Sequence, residues 1–156
     1  MDFISHTFDA LKNMAKNFQE TTVFANSQFV VSGETIHRIV WCCGAQPVLN
    51  QFALDQRLVQ PVRELLNSQK LVQLICQVHF KSPKDQVEFV WHQDSQHRGY
   101  ATEAWSDVDG KGSFVQTLMA IDPMFLETGP VFIWPGSHKF GSLNLQYEEN
   151  RKRWVK

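Results

Sequence analysis

Residues 91–100 read Trp91-His92-Gln93-Asp94-Ser95-Gln96-His97-Arg98-Gly99-Tyr100. An apolar run (Val87, Phe89, Val90) precedes them and a polar, glycine-containing segment follows. The stretch therefore reads as the end of a strand entering a loop. In extended backbone, residues i and i+2 point to the same side. His92 and Asp94 thus converge, while Gln93 starts off facing away. An imidazole and a carboxylate at this spacing are two thirds of the 2-His-1-carboxylate ligand set of non-haem Fe(II) sites. His-x-Asp alone also fits a surface loop whose Asp94 caps the next turn, so the flanking sequence has to decide.

At 156 residues the chain has the length of one domain. With 43% hydrophobic residues it can bury a core, and nothing in the composition points to disorder. Fifteen basic against sixteen acidic residues leave a net charge of -1. That balance excludes the electrostatic footprint of a nucleic-acid or membrane-surface binder. Three cysteines, Cys42, Cys43 and Cys76, suit neither a disulfide framework nor a CxxC zinc site. They read as buried free thiols in a reducing compartment. Asp2, His6, Asp9, Lys12 and Lys16 break up any signal-peptide core, and no apolar run is long enough to span a bilayer. A soluble, cytoplasmic protein is expected.

Outward from the central stretch, the periods change along the chain. Phe3, Ile4, Phe8, Leu11, Met14, Ala15 and Phe18 recur at spacings of three and four, which predicts an amphipathic helix. Val23 to Val31 and Ile36 to Trp41 read as strands around a Ser32-Gly33 turn. Pro47 to Leu66 returns to helical spacing in two segments, with Pro61 placed to kink or interrupt the second and Asn67-Ser68 to end it. Leu71 to Phe80 reads as a buried strand, Lys81 to Asp85 as a turn, and Val87 to Val90 as the strand that delivers His92. Ser95 to Lys111 is a long polar loop of the kind that carries function. Ser113 to Ile121 and Val131 to Trp134 read as further strands around a turn region, Asp122 to Gly129. A tight Pro135-Gly136-Ser137-His138-Lys139 turn follows. Glu148 and Glu149 ahead of Arg151, Lys152 and Arg153 suggest a short terminal helix.

Three blocks in order resemble the phytanoyl-CoA dioxygenase family of Fe(II)/2-oxoglutarate oxygenases. They are IHRIVWCCGAQPVLNQFALDQRLVQPVRELL, LVQLICQVHFKSPKDQVEFVWHQDSQHRGY and GSFVQTLMAIDPMFLETGPVFIWPGSHKFG. The resemblance runs from Glu34 to Gly141 and is carried by the His-Gln-Asp element, the Thr-Gly-Pro turn and the Pro-Gly-Ser-His-Lys turn. It implies an all-β core with flanking helices, a double-stranded β-helix or cupin-like jelly roll, formed by a single domain over residues 1–156. It implies His92 and Asp94 as metal ligands for Fe(II), and Lys81 and Gln93 as contacts of the cosubstrate 2-oxoglutarate. His97 and Arg98, just past the ligands, match a place where a substrate could be met, and Trp105 could wall the site or simply cover the core. Lys81, His97 and Arg98 read equally well as solvated turn and loop residues.

The implied activity is hydroxylation of an unactivated C–H bond of a small organic substrate by O2, with succinate and CO2 as co-products. Asp94 is present, which favours hydroxylation over the halogenation of relatives that lack the carboxylate. The chain departs from the family pattern in one respect: the second ligand His and the basic residue after it are not evident. His138 is a poor substitute, because the Pro-Gly-Ser-His-Lys turn precedes the true ligand in relatives. The sequence thus reads as C-terminally truncated, with unpaired strand edges open to self-association. Two alternatives stand beside the enzyme: a non-catalytic remnant acting as a binding module, and a cupin-like metalloprotein that does not use 2-oxoglutarate.

Overall fold

Helix α1 (Asp2–Ala15) forms as its spacing predicts, and it fully buries Leu11 and Ala15, with Phe8 and Met14 packed beside them. The computed structural model describes residues 2–81, 91–94, 114–140, 143, 146–148 and 153–155. The chain divides into two units, residues 1–85 with 114–124 and residues 86–113 with 125–156.

In the first unit, α1 is followed by β1 (Glu20–Phe24), β2 (Ser27–Ser32) and β3 (Thr35–Val40), and later by β4 (Gln77–His79). They form one sheet in the order β1-β2-β3-β4, with every neighbouring pair antiparallel. The single strand expected from Val23 to Val31 is instead a hairpin. Ala25 and Asn26 both adopt left-handed backbone (φ 48° and 57°), the two-residue turn whose twist suits a tight β connection. Strand β2 alternates, burying Ser27, Phe29 and Val31 on one face. The turn at Gly33 and the third strand are as expected.

After β3 come α2 (Cys42–Ala45), a 3-10 turn (Pro47–Leu49), α3 (Asn50–Ala53) and α4 (Gln56–Leu66). Asp55 caps α4, accepting the Arg57 backbone N–H at 2.9 Å and clasping the Arg57 guanidinium. Pro61 does not interrupt α4. It removes one backbone donor, and the capped turns on either side carry the helix through. Asn67, in left-handed backbone, closes the helix, with Ser68 N–H donating to Arg63 O at 3.1 Å and Asn67 N–H to Glu64 O at 3.2 Å. The core gathers Leu11, Ala15, Phe29, Val31, Ile39, Cys42, Cys43 and Leu49.

Of the strand expected from Leu71 to Phe80, only Gln77–His79 forms, with Phe80 N–H adding one bond to His37 O. The pairing explains the limit. Val40 faces Gln77, and beyond Val40 the chain turns into α2, so residues 71–76 run past the end of β3. Val72 is accordingly 82% exposed.

The expected strands at 113–121 and 131–134 are irregular over their described residues. Leu118, Ile133 and Trp134 are exposed. An apolar run makes a strand only where a partner edge takes its hydrogen bonds, and over their described residues neither run forms a strand. In the second unit, 3-10 turns span Leu126–Thr128 and Ser137–Phe140. The C-terminal helix is replaced by an antiparallel pair, β5 (Gln146–Glu148) and β6 (Arg153–Val155), with Tyr147 opposite Trp154. Acid-before-base order is worth only tenths of a kcal/mol to a helix, and tyrosine and tryptophan favour strands. Residues Val87 to Val90 and the long loop at 95–111 lie outside the described residues. Among the described residues, no helix is long and apolar enough to cross a membrane.

Candidate functional site

His92, Gln93 and Asp94 lie in the second unit, with Asp94 already entering a 3-10 turn. The expected convergence is present. His92 Nε2 stands 3.6 Å from Asp94 Oδ1, and the two side chains are 30% and 40% exposed. That separation is too long for a hydrogen bond. It suits two neighbouring ligands of one cation. Donors about 2.1 Å from an ion sit about 3 Å apart at a right angle and farther at a wider one. The donor set, one imidazole and one carboxylate, also fits Fe(II).

Gln93 is tied down. Its side-chain oxygen accepts the backbone N–H of Leu143 at 2.7 Å, across 50 residues. The residue between the two donors therefore anchors the segment that follows the Pro-Gly-Ser-His-Lys turn. His138 sits in the 3-10 turn Ser137–Phe140. Among the described residues, no third His, Cys, Asp or Glu joins His92 and Asp94 in a ligand group.

Lys81 belongs to the first unit and is exposed. It follows Phe80, whose N–H donates to His37 O at 3.0 Å and so prolongs the β3–β4 ladder. Burial first, then the charges of Arg38 and Lys81, hold the His79 imidazole below its ordinary range. His97, Arg98 and Trp105 lie outside the described residues.

The cysteines are free thiols, as expected, but they also meet. Cys76 Sγ lies 3.0 Å from Cys43 Sγ and 3.3 Å from Cys42 Sγ. Burial, and then the neighbouring Cys76, push the Cys43 thiol up to about 12. The hydrogen bond with Cys42, then burial, also raise Cys76 well above the thiol range. Sequence reasoning missed this cluster because its contacts span 33 and 34 residues. The one signal that could have found it is topological. Pairing of Val40 with Gln77 brings the residues just beyond them together.

A four-stranded antiparallel sheet with flanking helices, carried by a chain with a His-x-Asp donor pair, fits the class of non-haem iron oxygenases. The chain belongs to the phytanoyl-CoA dioxygenase (PhyH) family, whose sequence profile matches residues 2–154. This places it in the Fe(II)/2-oxoglutarate-dependent oxygenase superfamily, in agreement with the resemblance carried by the three sequence blocks. No curated protein and no solved structure matches the chain.

Proposed function

We propose that this chain is an Fe(II)- and 2-oxoglutarate-dependent dioxygenase that hydroxylates an unactivated C–H bond of a small organic substrate. The co-products are succinate and CO2, and the catalytic domain is a single double-stranded β-helix. The observation that carries the reading is the 3.6 Å approach of His92 Nε2 and Asp94 Oδ1 in a member of this family. Family membership and the antiparallel sheet with flanking helices support the fold.

His92 and Asp94 would hold the iron from one side. Bound there with 2-oxoglutarate, the metal supplies O2 activation coupled to decarboxylation of the cosubstrate. The chain's own residues ligate, orient and exclude water. Asp94 contributes a negative charge that a neutral donor would not, which attracts a dication. Gln93, held by Leu143 N–H, fixes the backbone between the two ligands, so that neither has to be ordered when the metal binds. We assign Lys81 and Gln93 to 2-oxoglutarate, and His97 and Arg98 to the substrate.

The test is anaerobic titration with Fe(II) and 2-oxoglutarate, following the weak visible charge-transfer band of the chelate. Conversion of 2-oxoglutarate to succinate in air is then measured. A weak band with little succinate is expected, since only two protein ligands meet among the described residues. A band without succinate would leave a binding module. Metal binding that is indifferent to 2-oxoglutarate would identify a cupin-like metalloprotein instead.

A further inference from the structure

We propose that Cys42, Cys43 and Cys76 form a second metal site, in the first unit, that takes one thiophilic monovalent d10 cation, Cu(I), through three sulfurs. All three Sγ atoms lie within 4.8 Å of one another, and among the described residues they are the one such group of His, Cys, Asp or Glu side chains.

The site is built by the fold. Cys42 N–H donates to Cys76 O at 3.3 Å just past the last β3–β4 pair, so the two chain segments are locked where their thiols meet. Ser27, 1% exposed, donates from Oγ to Trp41 O at 2.7 Å and accepts the Ala45 N–H at 2.8 Å. It thereby staples both ends of the segment that bears Cys42 and Cys43. Gly44 lets that segment press against the β1–β2 turn, for a Cβ there would stand 2.6 Å from Asn26 O. Donors held this way need little ordering on binding.

Three donors are more than a disulfide uses. Separations of 3.0 and 3.3 Å are contacts between thiols, well beyond the ~2.05 Å of an S–S bond. A cation about 2.3 Å from each of three sulfurs would spread them to about 4 Å. The cluster reaches that by small side-chain rotations, inside its present 4.8 Å envelope.

Soft thiolates select Cu(I), zinc or iron–sulfur clusters. Structural zinc is almost always four-coordinate, and among the described residues no fourth such ligand joins the group. The surroundings, with Phe29, Ile39 and Leu49 in the same cluster, are poorly suited to a water in the fourth place. Cu(I), closed-shell and content with three sulfurs, fits what is present, and each thiol gives its proton to solvent as its sulfur binds. Cys76, half-buried where Cys42 and Cys43 are buried, is the side from which the ion enters.

The test uses the full chain, reduced and anaerobic, titrated with Cu(I) against a colorimetric Cu(I) chelator. X-ray absorption at the copper edge is then recorded. Expected are one Cu(I) per chain and a shell of three sulfurs with no nitrogen or oxygen. Loss of a single outer-shell partner weakens metal sites by about 10–100-fold, so Cys76→Ser should weaken Cu(I) by more than about a hundredfold while circular dichroism is unchanged. The wild-type copper spectrum keeps the test independent of any variant that fails to fold. A two-sulfur shell, a mixed nitrogen or oxygen shell, undiminished affinity in Cys76→Ser, or displacement of Cu(I) by equimolar Zn(II) would each overturn the proposal.

Discussion

Gln93 Oε1 accepts the backbone N–H of Leu143 at 2.7 Å, joining the residue between the two candidate metal ligands to a point 50 residues along the chain. The side chain therefore has a structural task besides any contact with cosubstrate. Gln93→Ala leaves that amide without its acceptor and should cost about 1 kcal/mol of stability, the usual net worth of such a bond. Urea unfolding checks it. Gln93→Glu keeps an acceptor at the same reach and should recover most of the loss. If the alanine variant unfolds at the wild-type midpoint, the tie is not holding the segment.

His92 and Asp94 should act as a unit. Each variant, His92→Ala or Asp94→Ala, removes one of two donors, and with either the Fe(II)/2-oxoglutarate band should vanish at concentrations that saturate the wild type. Both side chains are a third or so exposed, so the folded state should lose little, and unfolding midpoints should stay close to wild type. Wild-type iron affinity in both variants would move the iron site elsewhere.

Ser27 is the polar hub of the sheet's buried face. Its hydroxyl satisfies a carbonyl at Trp41 and an amide at Ala45 while itself only 1% exposed. Ser27→Ala preserves the shape and takes the hydroxyl acceptor from Ala45 N–H, while Trp41 O keeps the Gly44 N–H at 2.8 Å, at a cost of about 1–3 kcal/mol. Chemical denaturation measures it directly, and a loss below half a kcal/mol would mean that water replaces the hydroxyl.

Gly44 should tolerate no side chain. The atoms that a Cβ would meet are backbone, Asn26 O at 2.6 Å and Ala25 O at 2.7 Å, and they cannot rotate away. Gly44→Ala is expected to cost about 1–3 kcal/mol through overpacking, read as a lower thermal midpoint. The same push would part Cys42 and Cys43 from Cys76, so Cu(I) affinity should fall with it.

Much of the first unit was legible because its signals are local. The helix carrying Leu11 and Ala15 has a clean 3.6 period, Gly33 marks its own turn, and Asn67 ends α4 in the left-handed backbone that asparagine tolerates. The misreadings fall where local pattern is silent about partners. Residues 71–76 and 131–134 are as apolar as any strand, yet a strand exists only where another edge receives it. Ala25, which rarely takes left-handed backbone, hid the turn that splits the first hairpin. For the site, spacing alone foretold the meeting of His92 with Asp94, two residues apart. It could not foretell Gln93 with Leu143, nor Cys76 with Cys42 and Cys43, because those contacts are decided by how distant segments pair.

The buried thiols make stability fall at alkaline pH. Cys43 has its ordinary value of 9.0 raised to about 12 in the folded chain, by burial and by Cys76. Below 9.0 both folded and unfolded chains keep the proton, so its contribution to stability is complete. Between 9.0 and about 12 the unfolded chain gives the proton up while the folded chain retains it. The unfolded state then binds fewer protons, and unfolding becomes more favourable as pH rises. Urea midpoints of chelator-treated, reduced protein should therefore decline across that window. They should decline less steeply in Cys43→Ala, which lacks the group, and the difference between the two slopes isolates it from the lysines and tyrosines. The same protonation predicts slow alkylation by iodoacetamide at neutral pH, since the thiolate is the nucleophile. Fast alkylation of Cys43 at pH 7, or parallel slopes in the two proteins, would show that the thiol is not held protonated by its surroundings.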